Sequence, residues 1–273
     1  MEDISISVSL LLIIVFICEA IRKTASKLVS RKDYEVYLLE VISTFQLCAC
    51  SHELKLLGEM GQIEQQIGLT LTYTMTVVHV LTFQGAICNP SGALEHVYRR
   101  KLTGKSALAR IGCQCIAAVV ARLVMIQVWA LELSDLHRRH KIFGFICNNP
   151  IHASLPVALA VELACAFAVQ AAVTLTNRLE DKYRVHFTAA VVTVLVYLGG
   201  SATGAVFNPV LALSIQFPCS GNTFLEYLLV YCLGPVLGVV ISVLLFDKVI
   251  PLLSGKSAYE EDMDFPVSKD KIQ

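Results

Sequence analysis

Two carboxylates and two Asn-Pro pairs stand out in an otherwise apolar chain. Glu40 and Glu162 each interrupt a long hydrophobic run. Asn89-Pro90 follows Glu40 by 49 residues, and Asn208-Pro209 follows Glu162 by 46. A charged side chain within an apolar span is costly and marks a functional site by default. Asn is a strong helix N-cap and Pro suits the first helical position. Each pair therefore opens a short apolar segment, Asn89–Tyr98 and Asn208–Phe217. Such segments are too short to cross a bilayer, so each reads as a re-entrant half-helix. Backbone of this kind is tolerated at membrane depth only where protein or a water-filled cavity covers it. Gly85 and the run Gly199-Gly200-Ser201-Ala202-Thr203-Gly204 permit the tight turns that lead in. Two half-helices of opposite direction aim the positive ends of their dipoles at one point. There the amides of Asn89 and Asn208 donate hydrogen bonds to a passing oxygen while the positive ends repel cations. Glu40 and Glu162 read as buried structural acids that accept from the loop backbone leading to each half-helix. A third pair, in Asn148-Asn149-Pro150, lies in a polar loop and reads as a turn.

The elements that position these residues are membrane spans. Of 273 residues, 55% are hydrophobic and 16% charged, with mean hydropathy +0.64. A soluble domain carries nearer a quarter charged residues. Apolar runs of bilayer length recur at Ile4–Ile21, Tyr34–Leu57, Leu69–Ile87, Ala107–Leu133, Leu155–Leu175, Val185–Leu198 and Phe224–Val249. The first lacks the basic start and small-residue cleavage site of a signal peptide, because Glu2-Asp3 opens it. It reads as an uncleaved span or anchor. The other six form two threes, and an odd number of spans reverses direction, so the halves are inverted repeats. The expected division is 1–33, an extra hydrophobic segment and basic linker; 34–133, the first repeat; 134–154, a connecting loop; 155–249, the second repeat; and 250–273, a tail.

Lys and Arg cluster after the first, third and fifth spans and in the tail, seventeen against four on the other side. That bias puts the C-terminus in the cytoplasm. The Arg138–Lys141 cluster is the one misfit. Net charge is zero and like charges never run beyond Arg99-Arg100-Lys101, which argues against nucleic-acid partners. His137 and His140 share a loop without the further ligands a metal site needs. No nucleophile elbow or phosphate loop occurs, so neither an enzyme nor a cofactor is expected. Most of the ten cysteines lie in apolar stretches, where Cys packs as a small hydrophobe. Cys147 and Cys219 sit in polar loops, where a disulfide and two free thiols both fit the residues.

These features resemble the aquaporin (major intrinsic protein) family, over roughly Tyr34 to Val249. Family-like details are Gly234-Pro235-x-x-Gly238, Gln114 and Gly204-Ala205-Val206-Phe207-Asn208-Pro209. The stretch Phe45-Gln46-Leu47-Cys48-x-Cys50-x-His52-Glu53-Leu54 looks like the unorthodox intracellular superaquaporin branch, as does the extra N-terminal run. The resemblance implies an all-α polytopic membrane protein with the aquaporin fold: six transmembrane helices plus two re-entrant half-helices in an inverted repeat, preceded by an extra N-terminal hydrophobic helix. It implies a homotetramer in the lipid bilayer, passing small neutral solutes through a pore at the two Asn-Pro boxes. Here the boxes read Asn89-Pro90-Ser91 and Asn208-Pro209-Val210. Val210 is bulky enough to narrow or tilt the second half-helix. The filter Arg of water-selective members is replaced by Leu211 and the filter His by Val196, with Ala205 at the small position. The aromatic position of the second family helix falls at Leu69 or Tyr73. An apolar constriction of this kind suits glycerol or hydrogen peroxide at least as well as water. Cys147 and Cys219 match positions of the family without fixing a bond. Lys269-Asp270-Lys271-Ile272-Gln273 resembles a dilysine retrieval signal of endoplasmic-reticulum proteins. Two other classes stay open: an inverted-repeat secondary transporter, against which no further ionisable residue is placed to couple ions, and a non-conducting scaffold.

Overall fold

The structure is a computed structural model that describes residues 2–28, 32–217, 219–221 and 223–254. The described residues form helices joined by short turns. Long helices are α1 (Glu2–Leu28), α2 (Lys32–Met60), α3 (Gln65–Thr82), α5 (Gly104–Ala130), α7 (Leu155–Thr176) and α8 (Asp181–Thr203), followed by a C-terminal span, Phe224–Leu253. Between them stand the short α4 (Pro90–Tyr98), α6 (Asp135–Ile142) and α9 (Pro209–Ile215). The two Asn-Pro segments are therefore separate short helices, α4 and α9, each with Pro at its start.

The halves repeat one arrangement. In the first, α2 packs on α5 beside α4; in the second, α7 packs on the C-terminal span; α3 and α8 meet between the halves. Gly238 allows the tightest of these approaches, because a Cβ there would stand 2.2 Å from the Leu163 carbonyl oxygen of α7. The C-terminal span carries a π-helical turn over Leu228–Leu233, just before Pro235. Proline has no N–H to give the preceding turn, and the wider turn absorbs that loss.

The N-terminal run is an integral helix of the fold. Leu11 of α1 is buried with Cys50 and Met75, and Cys18 and Ala25 with Ile42. Arg22 is wholly buried, donating to Gln46 at 2.7 Å and to Ser43 at 3.4 Å, both on α2. The opposite face, with Leu12, Ile13 and Phe16, is exposed apolar surface suited to lipid.

The structure accounts for the misfit cluster Arg138–Lys141. These residues lie on α6, where Arg138 pairs with Asp135, Arg139 with Asp3 and Lys141 with Glu132. The hydrogen bond and charge of Lys141 hold the Glu132 carboxyl below its ordinary range. The cluster is locally neutralised, so it carries less weight in the charge bias than its count suggests. The Lys269–Gln273 signal lies outside the described residues.

Candidate pore site

Glu40 and Glu162 perform parallel tasks. Glu40, buried on α2, accepts from the backbone N–H groups of Cys88 at 2.6 Å and Ile87 at 3.3 Å. Glu162, buried on α7, accepts from Phe207 at 2.6 Å and Val206 at 3.1 Å. In each half the acid thus takes the two amides just before the half-helix Asn. These loop amides have no helix or strand partner, so a carboxylate that accepts from both fixes the turn. Those turns are strained: Cys88 has φ 53°, Ala205 46° and Phe207 37°, while Gly85 and Gly204 take positive φ freely. The halves differ in what balances the charge. Glu40 meets Arg110 at 3.3 Å and the Gln114 amide at 2.7 Å. Glu162 meets a hydroxyl, Thr203, at 2.6 Å.

Each Asn caps its own half-helix. The Asn89 carbonyl oxygen accepts from Ser91 N–H at 2.9 Å, and that of Asn208 from Val210 N–H at 3.1 Å. Each oxygen takes an N–H that the first turn of a helix leaves unpaired, which is why Asn at each position starts the helix. The Asn208 amide also donates to the Cys88 carbonyl at 2.8 Å. The second half-helix is thereby tied to the residue just before Asn89.

Both Asn residues border one cavity of about 840 Å3. Its wall runs along α2 from Leu47 to Met60 and along α3 from Thr72 to Phe83, roughly 15–20 Å of helix. Val196, Ala205 and Leu211 are all in this wall. The structure corrects the α3 expectation. Thr72, Met75, Thr76 and His79 face the cavity, and neither Leu69 nor Tyr73 does. Tyr73 instead hydrogen-bonds His186 of α8 at 2.8 Å on the outer surface. Which face of α3 meets the cavity depends on the rotation of the helix about its axis, which residue number does not give.

Val210 is not in the cavity wall either. It is buried away from the cavity, in a cluster with Ala118 and Ala121 of α5 and Ala49 of α2. These small partners make room for the isopropyl group, so it does not narrow the cavity. Ser91 is buried likewise and lies outside the cavity wall, as do Pro90 and Pro209.

Further ionisable groups lie within the spans. Glu53 is wholly buried and accepts from Ser7 of α1 at 2.6 Å, Trp129 of α5 at 2.8 Å and His137 of α6 at 3.1 Å. It joins four helices. Ser214 gives its proton to the Ala118 carbonyl at 2.8 Å, so the His52 Nε2–H donates to the Ser214 oxygen at 3.0 Å. Lys55 reaches the far end of α9. A charged residue in an apolar run was signal enough to flag Glu53 and Lys55, but neither repeats in the second half. In the adjoining loops Cys147 and Cys219 form a disulfide, flanked by hydrogen bonds between Ser220 and Cys147 and between Asn149 and Ser220.

A bundle of long apolar helices, holding two short Asn-capped helices end to end beside one cavity, is the architecture of a multi-pass membrane channel. The family model for major intrinsic proteins matches residues 8–246. Similar proteins include "Aquaporin-11" of Equus caballus, 37% identical over 254 residues and 93% of each chain. "Aquaporin-11" of Mus musculus is 35% identical over 252 residues and 92% of each chain. "Aquaporin-12" of Mus musculus is 32% identical, over 95% of this chain and 91% of that one. In fold, the chain resembles the X-ray structure of the aquaglyceroporin from Plasmodium falciparum, with TM-score 0.67 and 16% identity, covering 83% of this chain and all of that one. The chain belongs to the major intrinsic protein, or aquaporin, family.

Proposed function

We propose that the chain is a passive channel for small neutral solutes, passing water, glycerol and hydrogen peroxide, in an endoplasmic-reticulum or other intracellular membrane. The carrying observation is the single cavity bordered by Asn89 and Asn208 together with Leu211, Val196 and Ala205. The two amides are donors for a solute oxygen, and the helix N-termini behind them disfavour cations. The apolar wall supplies width without the charged donors that select single water molecules. In this reading the protein assembles as a homotetramer with its C-terminus in the cytoplasm. Proteoliposome light scattering with water, glycerol and peroxide tests it. A channel gives non-saturating flux with a low activation energy. Saturating flux would favour a transporter, and no flux a scaffold.

A further inference from the structure

The position after the second box carries no charge, because Leu211 stands there. The structure provides a charge nearby from another helix. Lys55 of α2 is, among the described residues, the one lysine or arginine in the cavity wall. Its ammonium donates to the Ile215 carbonyl at 2.9 Å and to the Gln216 side-chain oxygen at 2.7 Å. Those residues end α9, about one helical turn beyond Leu211. Gln216, Ile215 and Leu211 border the same cavity. The cation also meets Glu59 at 3.6 Å, a carboxylate half-exposed at the same wall. Arg122 borders a smaller adjoining pocket, which Lys55 also lines.

We infer that Lys55 is the specificity-determining cation of the cavity, set on α2 rather than on the second half-helix. Three features support this beyond mere anchoring. The ammonium is pinned by two oxygens at the negative end of α9, so its position is fixed. Its side chain keeps partial exposure, 14%, at the cavity. Its charge stands in the cavity wall about one helical turn of α9 from Leu211, and a fixed positive charge in a partly apolar passage repels cations far more than in bulk water. Neutral solutes feel the ammonium only as a hydrogen-bond donor. The inference rests on the channel reading above.

The test uses the full chain in proteoliposomes and planar bilayers, measuring water flux, glycerol flux and the Na+ to Cl− permeability ratio. Lys55→Gln keeps a side chain that can bond Gln216 but removes the charge. It should raise the Na+ to Cl− permeability ratio about tenfold. Lys55→Arg should keep cations out. Glu59→Gln, which removes the carboxylate beside the ammonium, should shift the ratio toward Cl− and covers the case in which Lys55→Gln does not fold. A wild type that passes no solute overturns the channel reading, and this inference with it. A conducting wild type whose Lys55→Gln variant folds and stays cation-tight overturns this inference alone, as does an unchanged ratio in Glu59→Gln. Lowered thermal stability in Lys55→Gln without a change in ratio would make Lys55 a cap for α9 and nothing more.

Discussion

The side-chain amide of Asn208 donates to the carbonyl of Cys88 at 2.8 Å, so the second half-helix is hydrogen-bonded to the residue that precedes the first half-helix's cap. Asn89 makes no equivalent bond among the described residues; its carbonyl oxygen caps Ser91. The two Asn residues therefore share a role in capping and differ in holding the halves together.

Asn208→Ala should consequently destabilise the protein more than Asn89→Ala. Both lose an N-cap, typically about 1 kcal/mol. Asn208→Ala also leaves the buried Cys88 carbonyl without a donor, a further 1–2 kcal/mol or so. Thermal unfolding in one detergent measures the difference; equal losses would mean the Cys88 bond contributes nothing.

The two acids differ in the same way. Glu40→Gln strands Arg110, which stands 3.3 Å away and is mostly buried, whereas Glu162→Gln leaves no cation behind among the described residues. Removing one partner of a buried pair is costly, about 3–5 kcal/mol. Each Gln also offers one acceptor oxygen to two backbone amides. Glu40→Gln should be the less stable of the two, and Glu40→Gln with Arg110→Met should recover part of the loss. No recovery in the double variant would show that Arg110 does not balance Glu40.

Much of this framework was legible in the sequence because the repeat displays it twice. Matched spacing of Glu40 to Asn89 and of Glu162 to Asn208 exposed the half-helices and the acids that brace them. Residues used once left no such mark. Glu53 gathers Ser7, Trp129 and His137 from three other helices, and no spacing along one chain announces that meeting. Lys55 was visible as a charge in an apolar run, but nothing local indicates that it reaches Gln216. That Tyr73 and Val210 lie outside the cavity wall was not legible for one reason. Distance along a helix is fixed by residue number, but the face a residue presents depends on how the helix is rotated by its neighbours.

Val210 tests that last point. Because it packs against Ala118 and Ala121 and not the cavity, Val210→Ala should leave solute flux unchanged within about twofold and lower stability by roughly 1–3 kcal/mol. Flux per reconstituted protein, read beside the unfolding midpoint, checks both. A marked gain in glycerol flux would place Val210 in the pore after all.

Cys147 and Cys219 close a loop of 72 residues. Each single Ala variant should lose about 2–4 kcal/mol, and the double variant no more than either. Reductant should lower the wild type toward the variants and leave the variants unmoved. Additive losses, or alkylation of both thiols without reductant, would exclude the bond.

Leu211 borders the cavity, and its side chain also rests partly against the cores on either side of α9. Leu211→Arg would place a planar cation and five donors in that wall. Val196 and Ala205, both small and both in the same wall, leave space for it. Glycerol needs more width and more apolar wall than water does, so glycerol flux should fall several-fold more than water flux. Lys55 makes the substitution harder than the neighbouring volumes suggest. Its ammonium bonds Ile215 and Gln216, about one turn from position 211, and a second cation there adds like-charge repulsion in a partly buried site. Lys55→Gln with Leu211→Arg should therefore be more stable than Leu211→Arg alone, and equally restrictive to glycerol. The ratio of glycerol to water flux in the same proteoliposomes is the measurement. If the folded Leu211→Arg protein keeps the wild-type ratio, Leu211 is not at the constriction and the passage is limited elsewhere.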